Sequence, residues 1–312
     1  MKVFVVGITG VLGRALLPQL RQRGHVIRTL ARTLEKMHAL EDAGVEAIQG
    51  DLLAPSTIEH LASHISDCQA VVHIATAIPH DPTHPDPDAW RATTRLRTEG
   101  TQALLAAALA AKVKRYIQQS TIMAYPNGGD FWLQENVPLD SAPTRAVTCA
   151  PVIKMEEIIH SIHPSQIHWC ILRAGQFVGP GTDQEKRIEA LRAGHQVVPG
   201  RGQSYLSLVH VSDMASAITT ALDSAPAGST FNIVDEPLQN GDYLDRLANM
   251  LHVPHPIRQS ELPEPPSFRC SNEAARTRLH WTPEHGIWPE EEQLGIAPTV
   301  TSTAIHVKHT HA

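Results

Sequence analysis

The sequence predicts an α/β protein built on a doubly wound parallel sheet with a smaller C-terminal portion, and three observations carry that prediction. Short apolar runs alternate with longer helical stretches through the first half of the chain, the pattern of parallel strands joined by crossover helices. The first apolar run leads directly into three evenly spaced glycines, Gly7, Gly10 and Gly13. Beyond Arg173, glycine and proline punctuate the chain and the alternation loosens into loops.

Taken in order, the strand candidates are Lys2–Val6, Val26–Leu30, Glu46–Gln49, Ala70–Ile74, Arg115–Gln119 and His168–Leu172. Each is short and apolar, as strands covered on both faces must be. The clearest crossover helix is Glu99–Ala111, with Leu104, Leu105 and Ala108 on one face. A helix near Glu185–Ala193 follows the glycine-rich stretch. The strand-like runs Leu206–Val211 and Thr230–Val234 flank a helix over Met214–Leu222 and return to the sheet. Tyr243–Leu251 is a further helix, followed by the proline-rich Pro254–Pro266. The reading is therefore a dinucleotide-type domain over 1–174, its sheet completed by about 206–235. Residues 175–205 and 236–295 form the substrate portion, and 296–312 a loosely ordered tail. No internal repeat is present.

Composition narrows the partners. The 312 residues carry 26 Lys+Arg against 32 Asp+Glu, a formal charge of −6, so no global positive field draws nucleic acid or an anionic membrane. Cys68, Cys149, Cys170 and Cys270 are too widely spaced for a zinc ribbon or a disulfide framework. No run approaches the roughly 18 apolar residues of a membrane helix, and the first residues read as a strand entering a glycine turn rather than a secretion signal. A cytoplasmic protein acting on a small molecule is the expectation.

The glycine loop, Val5-Val6-Gly7-Ile8-Thr9-Gly10-Val11-Leu12-Gly13, lies between a strand and a helix. Its glycines suit a tight turn, close approach to a pyrophosphate and close packing of helix on strand, with the phosphates at a positive helix N-terminus. With this loop the chain resembles an extended or atypical short-chain dehydrogenase/reductase, of the NAD-dependent epimerase/dehydratase type. The resemblance continues to about Pro283 through Gly50-Asp51-Leu52, His73-Ile74-Ala75-Thr76-Ala77, Glu99-Gly100-Thr101, Ser120-Thr121 and Tyr125. Later landmarks are Leu172-Arg173-Ala174-Gly175, Gly179-Pro180-Gly181, Val209-His210-Val211-Ser212-Asp213, Asn232-Ile233-Val234-Asp235 and Leu279-His280-Trp281-Thr282-Pro283. One departure is Arg97, where the family usually has an asparagine.

The resemblance implies a Rossmann-type fold and a nicotinamide cofactor. It assigns Gly7, Thr9, Gly10, Val11, Leu12 and Gly13 to the pyrophosphate, Asp51 and Leu52 to the adenine, and Ala75, Thr76 and Ala77 to the strand exit beside the cofactor. About 20 residues past the loop an acid would hold the ribose diol of NAD; here Ala31 stands in that place, with Arg32 beside it. A guanidinium pairs with a 2′-phosphate, so NADP(H) is favoured over NAD(H).

The family's working pair is Tyr-x-x-x-Lys. Matching it places the lysine at Lys154, against the nicotinamide ribose, and puts Ala150 where the tyrosine should stand. Three routes stay open: Lys154 itself moves the proton; Thr121 polarises the substrate oxygen with Tyr125 or Tyr205 supplying a phenol; or no hydride is transferred.

The His/Asp-rich stretch 79–88 (His80, Asp81, His84, Asp86, Asp88) reads as a substrate-side loop over Trp90 rather than a metal site, because its prolines keep it extended. His160, His163 and His168 lie near a helix end, where a structural role is expected. Asp213 is a candidate helix cap, and His306, His309 and His311 lie in the tail. The leading expectation is an NADP(H)-dependent oxidoreductase acting on a carbonyl or alcohol of a small organic substrate, with no metal. The alternatives are an NADP(H)-binding sensor that regulates a protein partner without turnover, and a non-redox isomerase, cyclase or dehydratase. Relatives often pair through the two helices that include the Lys154 segment, which leaves the oligomeric state open with a homodimer among the alternatives.

Overall fold

The computed structural model describes residues 1–79, 86–290 and 294; His80, Asp81, His84, His306, His309 and His311 lie outside them. Seven strands form one parallel sheet: β1 (Lys2–Val6), β2 (Val26–Ala31), β3 (Glu46–Gln49), β4 (Ala70–His73), β5 (Arg115–Thr121), β6 (His168–Ala174) and β7 (Ser229–Ile233). Their order is β3-β2-β1-β4-β5-β6-β7. The chain thus winds outward from β1 in one direction and then, from β4, in the other. The reversal opens a crevice at the carboxyl ends of β1 and β4, where ligands of such sheets bind.

Alternation along each strand supplies two cores from one sheet. Val3 and Val5 of β1 join Val72, Ile117, Leu172 and Phe231 beneath α1 (Val11–Gln22), whereas Phe4 and Val6 join Val71, Tyr116 and Ile171 on the opposite face. That second face is covered by α3 (Pro55–His64), α5 (Thr101–Ala110) and α6 (Ala146–His160), after α2 (Leu34–Asp42) and α4 (Pro87–Arg95). Asp86 caps α4 by accepting a hydrogen bond from Asp88 N at 3.0 Å, and Trp90 is buried on its inner side. Between α4 and α5 the rod continues as a single π turn, Leu96–Gly100, so the helix expected over 99–111 starts in a widened turn.

β5 and β6 each run two residues past their apolar stretch, pairing Ser120 with Arg173 and Thr121 with Ala174. The expected strand 206–211 does not enter the sheet. It splits into Tyr205–Leu206, antiparallel to Leu238–Gln239, and Leu208–His210, parallel to Gln176–Val178; only β7 returns, beside β6. These ribbons lie over a smaller core, Val178, Leu191, Val198, Leu206, Tyr243 and Leu247, shared with α7 (Asp183–Arg192) and α9 (Asn240–Leu251). Between them, α8 (Val211–Ser224) packs against α1 in the main core. It is capped by His210, whose ring accepts from Ser212 N, and not by Asp213; the buried Asp213 carboxylate instead holds the backbone and ring of His285. Among the described residues no helix is long and apolar enough to cross a membrane.

Candidate active site

The three glycines of the β1–α1 turn are glycine for three different reasons. Gly7 has φ +104°, and a Cβ there would lie 2.7 Å from Ala75 N at the β4 exit. Gly13 presses α1 onto the loop so closely that a Cβ would lie 2.1 Å from the Ile8 carbonyl oxygen. Gly10 has an ordinary φ of −74°, and its Cβ would meet only the Gly7 oxygen at 3.3 Å. Packing therefore demands glycine at position 10 far less than at positions 7 and 13. What it leaves there is an exposed helix N-terminus with no side-chain cap, so first-turn N–H groups face the crevice with the positive end of the helix dipole. This cradle fits a pyrophosphate. Thr9 is exposed, Val11 partly so, and Leu12 contributes its side chain to the core.

The strand order arranges the other expected residues along one edge. Asp51 follows β3, Arg32 follows β2, Gly7 follows β1, Ala75–Ala77 follow β4, and Thr121 ends β5. The residues expected to meet the adenosine thus stand at one end of this series, and those expected beside the nicotinamide at the other. Arg32 is exposed and makes no hydrogen bond or ion pair among the described residues. The Asp51 carboxylate accepts from Leu53 N at 2.9 Å, while Leu52 is buried beneath Gly100, whose Cβ would lie 2.9 Å from Leu52 Cδ2. Asp51 and Leu52 thus shape the turn that follows β3. At the β4 exit Thr76 and Ala77 are exposed, and Ala77 N donates to Thr93 Oγ1 at 3.0 Å. Thr121 accepts from Met123 N at 3.2 Å, which leaves its hydroxyl proton free to donate.

Two expected catalytic residues are corrected. Tyr125 is fully buried: its hydroxyl donates to Asn232 Oδ1 at 2.9 Å and accepts from Arg173 Nη1 at 2.6 Å, and desolvation pushes the phenol further above its usual range. It is a structural strut. Lys154 is 60 % exposed and, among the described residues, reaches only Glu157, at 3.5 Å. Together with Ala150 it lines an outward groove between α4 and α6.

The reason lies in the rotation of α6. Glu156 accepts from Ser120 Oγ at 2.6 Å and pairs with Arg173 at 2.6 Å, both partners being almost fully buried at the ends of β5 and β6. Positions four and eight residues earlier share that face, and they are Val152 and Thr148. A two-residue offset turns a side chain about 200° around the helix, so the pair sought at 150 and 154 faces away from the sheet. Val152 is buried, and Thr148 is partly buried with its hydroxyl donating to the Arg145 oxygen at 3.2 Å. Nor do the remaining tyrosines supply a phenol: Tyr116 and Tyr243 are buried, and Tyr205 is half-buried under the Arg269 guanidinium.

Two arginines at this edge were not expected to contribute. Arg14, in the first turn of α1, donates to the Thr9 oxygen at 3.4 Å and lies close to Gly181; its place next to Gly13 is the only trace of this in the sequence. Arg97 lies on the π turn that packs against α6.

Comparison with known proteins agrees with this architecture. The chain is 32 % identical over 306 residues to the 3-diazoavenalumate denitrifying reductase of a Streptomyces species, covering 92 % of this chain and 98 % of that one. It is 26 % identical over 242 residues to the 4-hydroxy-2-methyl-3-oxo-4-farnesyl-3,4-dihydroquinoline-1-oxide ketoreductase of Stigmatella aurantiaca, covering 75 % of this chain and 68 % of that one. In fold it resembles MoeE5, solved in complex with UDP-glucuronic acid and NAD, with a TM-score of 0.76 at 20 % identity over 95 % of this chain and 97 % of that one. The profile of the NAD dependent epimerase/dehydratase family matches residues 3–234. The chain is an NAD(P)-dependent oxidoreductase- or epimerase-like enzyme and belongs to the NAD dependent epimerase/dehydratase family, the extended branch of the short-chain dehydrogenases/reductases.

Proposed function

We propose that this chain is an NADP(H)-dependent reductase acting on a small organic substrate bound beside Thr121. The observation that carries the cofactor preference is Arg32: an exposed guanidinium without a partner among the described residues, directly after Ala31, where no carboxylate stands to reject a 2′-phosphate. Bound at this edge, the dihydronicotinamide would supply a hydride. The first turn of α1 would hold the pyrophosphate, Arg32 the phosphate of the ribose, and the Thr121 hydroxyl would donate to the substrate oxygen. In the carbonyl reading the carbon gains hydride and the oxygen a proton, and no phenol faces this edge to give it.

A second substrate class follows from that lack of an acid and from the diazo substrate named for the Streptomyces relative. When an aryl diazonium carbon takes up hydride, the C–N bond breaks, its electron pair leaves with N2, and the arene retains the new C–H bond. No proton enters the balance, so the site needs no tyrosine.

Fluorescence titration with NADPH and NADH tests the cofactor reading. NADPH binds more tightly in the wild type; Arg32→Ala weakens NADPH by about tenfold or more, as loss of a charge-assisted contact does, and leaves NADH unchanged; Lys154→Ala changes neither. Tighter NADH binding with a neutral Arg32→Ala refutes it. Loss of reduced-nicotinamide absorbance with ketones and aldehydes, against N2 release from arenediazonium salts, separates the two substrate classes. Binding without oxidation of either class marks a sensor.

A further inference from the structure

Among the arginines around the site that make no ion pair with a described residue, Arg14 and Arg32 are exposed and Arg97 is partly buried. On the same helical rod Arg91 pairs with Asp88 and Arg95 pairs with Glu99. Elsewhere Arg173 pairs with Glu156, Arg145 with Asp140, and Arg28 with Glu46 and Asp67. Arg97 makes no hydrogen bond or ion pair among the described residues, although it is partly buried and desolvation brings its guanidinium pKa down to about 10. It remains a cation at neutral pH. The ionisable neighbour acting on it is the Cys149 thiol of α6.

Its position is defined on two sides. It lies one turn after Thr93, whose hydroxyl holds the β4 exit through Ala77 N, and on the π turn that packs against α6. π turns inserted into helices concentrate at functional sites. Desolvating a guanidinium without an acceptor is unfavourable, and no described residue supplies one, so an anionic oxygen brought by a bound molecule would be held strongly here. The pyrophosphate cradle and the 2′-phosphate position have their own donors in the α1 N-terminus, Arg14 and Arg32, on the other side of the β4 exit.

Resting on the reading of this edge as the hydride-transfer site, we propose that Arg97 binds a carboxylate of the substrate, and so makes the enzyme selective for organic acids over their neutral analogues. Arginine suits this task because its planar fork meets a carboxylate with two parallel hydrogen bonds.

The test is calorimetric titration of matched acid and amide pairs, cinnamate with cinnamide and levulinate with levulinamide, into wild type, Arg97→Lys and Arg97→Met, each with and without saturating NADP+. At least one acid binds the wild type about tenfold or more tightly than its amide, the preference disappears in Arg97→Met, and Arg97→Lys retains part of it. NADP+ affinity changes less than about threefold, and ligand-free Arg97→Met melts at or above the wild-type temperature, because it removes a partly buried charge that no described residue pairs. The proposal is overturned if no acid is preferred, if Arg97→Met keeps the preference, if NADP+ affinity falls along with it, or if Arg97→Met melts well below wild type. Failure of the wild type to bind NADP+ counts against the proposed function instead, and the titrations without cofactor still decide the role of Arg97.

Discussion

Glu156→Gln is the perturbation that most directly probes how the site is held. In the native protein Glu156 Oε1 accepts from Ser120 Oγ at 2.6 Å and Arg173 Nε at 3.0 Å, and Oε2 accepts from Arg173 Nη2 at 2.6 Å. The two side chains are 4 % and 6 % exposed. The amide preserves shape but removes the charge, leaving a guanidinium buried without its counter-ion and an NH2 group facing donors. Breaking one side of such a pair costs about 3–5 kcal/mol, a large part of the roughly 5–15 kcal/mol that stabilises a typical protein. Urea denaturation at neutral pH should show a midpoint shift of that size with an unchanged slope. Because Glu156 also sets the rotation of α6, weaker dinucleotide binding should accompany it. Removing both charges in Glu156→Met/Arg173→Met recovers part of the loss, though not all, since Tyr125 and Ser120 lose partners. A single-variant loss below about 1 kcal/mol, or strict additivity in the double mutant, would refute the account of the pair as the anchor of the site.

Gly10→Ala separates folding from binding: the contact it makes is with the Gly7 oxygen at 3.3 Å and its φ is −74°, so stability should change by less than about 1 kcal/mol. Dinucleotide affinity should fall by about tenfold or more, because the methyl group occupies the phosphate approach; unchanged affinity in a titration contradicts the cradle. The buried His73 ring gives a pH signature. It bonds Gln118, and desolvation lowers its pKa from 6.5 to about 4. The unfolded chain therefore takes up a proton before the native state does, so stability is full above about pH 6.5 and declines toward pH 4, by about 3 kcal/mol in total. His73→Asn should flatten that part of the stability profile, and an identical slope in the variant rules His73 out as the cause.

Much of the architecture was legible in the sequence because it depends on local rules. Apolar runs between turn signals located all the strands of the sheet, and β1 and β3 with their observed ends. The glycine loop was readable because its spacing, together with the preceding strand and following helix, constrains a single turn. The strand ends were less legible: Ser120, Thr121 and Arg173 are not apolar, and they continue β5 and β6 only because partners across the sheet and on α6 satisfy them. The run 206–211 looked like one sheet strand, but its halves pair with segments before and after it in the chain, which no local pattern encodes.

By itself, then, the sequence determined the sheet, the phosphate turn and the absence of an acid beside Arg32, since all three follow from residue type and short-range spacing. The tertiary structure decided which face of α6 meets the ends of β5 and β6. A helix presents a new face with each residue, and the choice is made by a buried charge pair joining Glu156 to Arg173 seventeen residues away. That contact turned Lys154 to the outside and Thr148 inward. The tertiary structure also put Tyr125 under Asn232 and Arg173 and left Arg97 without a counter-ion among the described residues, because burial and pairing depend on distant segments meeting in space.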